Sequence, residues 1–237
     1  MDAAGYTTLT RQAGLMREMQ VVANNIANIS TNGFRREGVI FAEYVANLDD
    51  GPSLSMAHAT ARMVDLGQAG LSQTGGSFDF AIQGDGFFLI ETPQGQQLTR
   101  AGSFTPSTDG ELMTADGFRL LDQGGAPVFV PPDAGNVAMG PDGTLSANGV
   151  PLGKIGLWQP VDPLQLHHQS GTTFASPSGV EPATGGTVMQ GYLEDSNVDA
   201  VSEIARMITV QRAYELGQTF LDREDARVRD VVQTLGR

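Results

Sequence analysis

Apolar residues recur at helical spacing at both ends of this chain, and the stretch between them is broken by tight-turn signals. At the start, Leu9, Met16 and Ala23 lie seven residues apart, as do Leu15, Val22 and Ile29, with Met19 and Ile26 forming a further row. These rows predict an amphipathic helix over 6–29, closed at Ser30-Thr31-Asn32-Gly33, where glycine can take the left-handed conformation that ends helices. At the other end, Met207, Tyr214, Leu221, Val228 and Leu235 keep the same spacing, and Ile204, Ile208, Val210, Val231 and Val232 widen the stripe. Asp195, Ser196, Asn197 and Asp199 offer N-caps for this second helix. A helix of roughly 38 residues spans about 57 Å. That is longer than a helix folded onto a small β-domain requires.

Between the helices, over 75–193, short apolar runs alternate with turn signals. The runs are 78–82, 87–90, 111–114, 128–130, 143–146, 155–158 and 188–192, and the turns are Asp85-Gly86, Asp109-Gly110, Asp116-Gly117, Gly124-Gly125 and Asp142-Gly143. Asp-Gly between apolar runs predicts hairpins with type I′ turns, and many such signals predict an all-β sandwich or barrel. Over 36–73 the pattern is lost; Phe41, Tyr44 and Val45 suggest one structured piece, and Asp49-Asp50-Gly51-Pro52-Ser53 reads as a loop. The expected organisation is therefore an N-terminal helix (1–35), an extended connector (36–74), a mainly β, hairpin-rich domain (75–195) and a C-terminal helix (196–237).

A β-domain of this size closes its own core without help from the terminal helices. Pairing the helices with each other, as in a coiled coil, is the natural use of the heptad spacing. The second row of the C-terminal stripe is poor, however: it reads Ile204, Gln211, Gln218, Asp225 and Val232. Gly217 adds a mid-helix penalty of roughly 1 kcal/mol relative to alanine. Such a pair becomes stable when other subunits cover the rest of the stripe, and contacts that do not close on themselves build filaments.

The bulk chemistry narrows the function classes. The formal charge of −13, from 14 basic and 27 acidic residues, disfavours a nucleic-acid binder, which needs a cationic face. It equally disfavours anionic lipid, and no apolar stretch long enough for direct membrane insertion exists. The chain has no cysteine, so thiolate nucleophiles and sulfur-ligated metals are out of reach. The opening Met1-Asp2-Ala3-Ala4-Gly5-Tyr6 has neither the basic nor the apolar region of a cleaved secretory signal.

The string Ala23-Asn24-Asn25-Ile26-Ala27-Asn28-Ile29-Ser30-Thr31-Asn32-Gly33-Phe34-Arg35 resembles the signature of the flagellar rod and hook proteins. Ala81-Ile82-Gln83-Gly84-Asp85-Gly86-Phe87-Phe88, Leu98-Thr99-Arg100-Ala101-Gly102-Ser103-Phe104 and Met207-Ile208-Thr209-Val210-Gln211-Arg212-Ala213-Tyr214-Glu215 resemble further family segments, in the family's order. Length and opening residues look closest to the proximal rod branch; the distal rod and the hook are the alternatives. The resemblance implies a non-enzymatic rod subunit, exported by the flagellar type III apparatus without signal cleavage and assembled in the periplasm. Its partners would be other rod proteins and copies of itself, with the terminal helices inside and the β-domain outside. The assembly interface would comprise Leu9, Met16, Met19, Ala23, Asn24, Asn25, Ile26, Asn28, Thr31, Gly33 and Phe34, with Met207, Gln211, Arg212, Tyr214, Leu221, Val228 and Leu235. Departures from the family are Gly217, where relatives usually carry asparagine, and the charged Arg223-Glu224-Asp225.

Little else suggests chemistry. His167 and His168 are adjacent and project apart, so they form no spaced metal pair, and Gly84-Asp85-Gly86 lacks the lysine and helix of a phosphate loop. No catalytic residue, metal or cofactor is expected. The reading of another class is a periplasmic glycan hydrolase, for which Glu91 and Glu111 are the example of a carboxylate pair. A further reading is a sugar-binding β-domain on a trimeric stalk.

Overall fold

The computed structural model describes residues 3–46 and 54–235; the expected loop at Asp49-Asp50-Gly51-Pro52-Ser53 falls outside them, as does the opening Met1-Asp2. Helix α1 spans Ala3–Ala27 and helix α2 spans Ala200–Leu235. The chain forms two compact units. One, the helical unit, contains α1, α2 from its cap at Asp199, and the strands β1 (Glu37–Ala46) and β2 (Leu54–Val64) up to Met63. The other, the β unit, contains Asn28–Arg36 and Val64–Val198.

β1 and β2 pair as a two-stranded sheet inside the segment expected to be a connector. Strand-forming residues are present there, including Val39, Ile40, Phe41, Tyr44 and Val45. Apolar residues occupy both registers of β1, and alanines fill alternate positions of β2, so no two-residue alternation stands out.

The β unit is built around a seven-stranded sheet with the order His167–Ser170, Thr173–Ala175, Gly95–Thr99, Phe88–Thr92, Arg119–Leu120, Leu112–Met113, Thr105–Pro106. Smaller sheets surround it. Among them Thr187–Gln190 pairs with Phe80–Gln83, and Tyr192–Glu194 pairs with Leu71–Gln73. No sheet closes into a barrel among the described residues. The central sheet carries a core on each face. Phe88 and Leu120 join Phe80, Ile82, Phe104 and Leu112 in one cluster, while Phe87, Leu89 and Leu121 join Leu98 and Phe174 in the other. Successive residues of a strand point to opposite faces, so the unbroken apolar run at 87–90 belongs to a strand covered on both sides.

The turn chemistry differs from the expected type I′. Gly110, Gly117, Gly125 and Gly143 have φ of 84°, 82°, 82° and 86°. Each donates its N–H to the carbonyl three residues earlier, at 2.9 to 3.1 Å. The residues before them do not have positive φ; the only such non-glycine among the described residues is Asn148, at 50°. These four turns are type I with a left-handed glycine closing a bulge, the next most common hairpin connection. The type I′ turn is at Asn148-Gly149, whose two residues link the paired Ala147 and Val150. The run at 128–130 forms no strand of its own; Phe129 makes only an isolated bridge with Glu111.

Candidate assembly helices and the buried polar residues

α1 and α2 run antiparallel in the helical unit, as three polar contacts along them show. Gln12 Nε2 donates to the Tyr214 carbonyl at 2.8 Å, Arg206 pairs with Glu18 at 2.9 Å, and Asn25 Nδ2 donates to Glu203 Oε2 at 3.2 Å. Gly217 explains the first contact. A Cβ there would lie 2.3 Å from Gln12 Nε2, so the glycine leaves the opening through which that amide reaches the α2 backbone. Asp199 caps α2: its Oδ1 accepts the Ser202 N–H at 2.7 Å, and hydrogen bonding from the Ser202 side chain first, then from this N–H, lowers the carboxyl pKa.

Asn25 is fully buried and ties three elements together. Its Nδ2 donates to the Glu37 carbonyl and its Oδ1 accepts the Glu37 N–H, both at 2.9 Å, in addition to the bond to Glu203. A carboxamide alone among side chains offers this donor-and-acceptor edge, which pairs with a strand backbone as another strand would.

Other apolar residues of the pair face outward. Leu9, Met16, Ile204, Ile208, Leu216 and Phe220 are exposed. Thr8, Arg11, Leu15, Ala213, Leu216 and Phe220 line a groove of about 380 Å³ along the two helices. From the Gln12–Tyr214 contact, the first described residue of α1 comes level with residue 223 or so, leaving about 12 residues, or about 18 Å, of α2 beyond it. Within that length Val228, Val231, Val232 and Leu235 are exposed, Leu235 by 82%. Of the row read from sequence, Met207, Tyr214 and Leu221 are half-buried and Val228 and Leu235 exposed. Met19, Ile26, Asn28 and Thr31 are half-buried; Ala23, Asn24, Gln211 and Arg212 are exposed.

Gly33 and Phe34, read as assembly residues, are buried in the β unit, and Asn25 is buried in the helical one. Gly33 has φ 73° and donates its N–H to the Glu194 carbonyl at 2.7 Å; a Cβ would meet Ala101 N at 2.2 Å. Phe34 stacks on His168 at 5.0 Å, and His168 packs on Phe174 at 4.3 Å while its Nε2 bonds the Arg35 carbonyl at 2.9 Å.

Arg35 was missed as more than a motif residue. It is buried and pairs with Glu194 at 2.9 Å, and Glu194 also receives Arg100 at 3.0 Å and the Ala69 N–H at 2.9 Å. Burial pulls Arg100 down to about 10, against the upward pull of Glu194, and burial likewise lowers Arg35. One carboxylate thus serves two buried cations. The signal in the sequence was a charge set directly against apolar strand residues, at Leu193-Glu194 and Leu98-Thr99-Arg100.

Glu91 and Glu111, weighed as a carboxylate pair, share one cation. Arg119 bridges Glu111 at 2.9 Å and Glu91 at 3.5 Å. Among the described residues no group of His, Asp or Glu could hold a metal ion, and no helix is long and apolar enough to cross a membrane.

A β body with closed cores, joined to a helix pair whose apolar rows stay open, is the architecture of a structural subunit. Three family descriptions match the chain: "Flagella basal body rod protein" over residues 6–35, "Flagellar hook protein FlgE/F/G D1 domain" over 81–147, and "Flagellar basal body rod FlgEFG protein C-terminal" over 189–234. It is 37% identical to the flagellar basal-body rod protein FlgF of Mesorhizobium japonicum, covering all of this chain and 99% of that protein. The FlgF of Caulobacter vibrioides is also 37% identical, over the same shares. The rod protein FlgG of Bacillus subtilis is 29% identical, over 96% of this chain and 97% of that protein. The chain belongs to the flagellar basal-body rod and hook protein family.

Proposed function

We infer that this chain is a structural subunit of the bacterial flagellar basal-body rod, of the proximal FlgF type, polymerising through α1 and α2 with copies of itself and with related rod proteins. The observation that carries this reading is the last stretch of α2, where Val228, Val231, Val232 and Leu235 are exposed and no described residue of α1 lies level with them. In the rod, helices of neighbouring subunits complete that row in coiled-coil fashion, at positions where apolar side chains gain from leaving water. Family membership supports export through the flagellar apparatus and assembly in the periplasm.

Aspartate at both Val228 and Val232 tests the assembly role. Both positions are exposed in the protomer, so unfolding should change by no more than about 0.5 kcal/mol. In the polymer the same charges are buried, and a deletion strain supplied with the double variant should not swim. Normal swimming would sink the reading. Leu221 and Ile26 are less informative positions, because both are half-buried in the protomer itself.

A further inference from the structure

Asn197, one of four cap candidates for α2, is not the cap; Asp199 is. Its side chain is used elsewhere. The chain leaves the β unit after Arg36, re-enters it at Val64 and leaves again after Val198. Asn197 sits on the last of these passages and, within the β unit, bonds the other two. Its Nδ2 donates to the Asp65 carbonyl at 3.1 Å and the Gly67 carbonyl at 2.9 Å, and its Oδ1 accepts the Arg36 N–H at 2.6 Å. Its own N–H donates to the Phe34 carbonyl at 3.3 Å, and the Asp65 N–H donates to the Arg36 carbonyl at 2.8 Å.

We propose that Asn197 is a positioning residue for rod assembly: a clasp that holds together, on the β unit, the points from which β1, β2 and α2 set out. This rests on the rod-subunit reading. A subunit of a rotating shaft passes force along its chain where one unit gives way to the other, and separate passages would each yield alone. A carboxamide suits the task because it supplies two N–H donors and an acceptor from one planar group. Aspartate keeps only the acceptor for Arg36. Alanine keeps none: the Arg36 N–H and the Asp65 and Gly67 carbonyls all lose Asn197, and Gly67 retains its bond from Arg35.

The test is amide hydrogen exchange on the purified full chain, with motility measured in parallel. In Asn197→Ala the amides of Arg36 and Asp65 should exchange about tenfold faster or more, while those of Leu89 and Leu98 stay as slow as before. Asn197→Asp should loosen Asp65 while leaving Arg36 closer to wild type, and it serves as the informative variant if alanine also speeds the core amides. A deletion strain supplied with Asn197→Ala should swim poorly or not at all. Unchanged exchange at Arg36 and Asp65 would overturn the clasp, and faster exchange with full motility would overturn its role in assembly. A deletion strain that swims without any copy refutes the rod reading instead, and exchange still judges the clasp.

Discussion

In the β unit, Phe87 and Leu89 turn into one core and Phe88 into the other, and all three are buried within the chain. In the helical unit, α2 carries Leu216, Val228, Val232 and Leu235 on its surface, Leu216 by 72%. Both units also bury polar groups, but in different ways. The β unit sets two buried cations, Arg35 and Arg100, against one carboxylate, Glu194, whereas the helical unit buries the carboxamides Gln12 and Asn25 together with the carboxylates Glu37 and Glu203. The difference separates two dispositions of apolar side chains: a body that buries them within the chain, and a pair of helices that leaves many of them on its surface, where the proposed assembly would cover them. A buried charge has to be matched where it lies: Glu194 receives both arginines, Glu203 accepts from Asn25, and Glu37 faces Arg62.

The strongest way to break this comparison is to unbalance the β unit. Glu194→Leu leaves Arg35 and Arg100 buried as like charges, and should destabilise the β unit by about 3–5 kcal/mol. Trp158 is the only tryptophan and lies in this unit, so urea denaturation followed by its fluorescence reads the loss directly. A shift no larger than that of a surface substitution would mean that the ion cluster is not what closes the body.

Asn25→Leu should act on the other unit and more mildly. It strips partners from the Glu37 N–H and carbonyl and from Glu203, and should lower the stability of the helical unit by about 2–3 kcal/mol. Helical circular dichroism should melt earlier while the Trp158 transition stays in place. If both transitions move together, the two units unfold as one and the contrast between them dissolves.

How far these features were legible follows from their physical range. Each helix announces itself through a row of apolar residues that needs only its own neighbours in sequence, such as Met207, Tyr214, Leu221 and Val228. The β1–β2 sheet does not, because Val39 and Ile40 place apolar groups in both registers. The turns were visible as glycines but not as turn types, which depend on the φ of the preceding residue: Asp142 before Gly143 is right-handed, Asn148 before Gly149 left-handed. Of the residues read as an assembly interface, Val228 and Leu235 are exposed in the protomer, whereas Asn25, Gly33 and Phe34 are buried in it, a distinction that spacing alone does not carry. Gln12 and Asn197 were out of reach of sequence reasoning: a carboxamide bonding to backbone carbonyls far along the chain has no spacing to reveal it.

Gly217 provides the finest test, because the sequence alone makes it a flaw and the structure makes it an accommodation. Alanine there removes a helix penalty of roughly 1 kcal/mol. The new Cβ would also sit 2.3 Å from Gln12 Nε2 and 3.0 Å from its Cδ, at the free end of a flexible side chain that can swing away. In doing so Gln12 gives up its bond to the Tyr214 carbonyl, worth about 0.5–1.5 kcal/mol. The two effects nearly cancel, so Gly217→Ala should change stability by less than about 0.5 kcal/mol. On a Gln12→Ala background nothing opposes the gain, and the same substitution should stabilise by about 1 kcal/mol. A double-mutant cycle read by helical circular dichroism isolates that difference. Equal effects on both backgrounds would show that Gly217 makes no room for Gln12, and that the helix pair tolerates the glycine for some other reason.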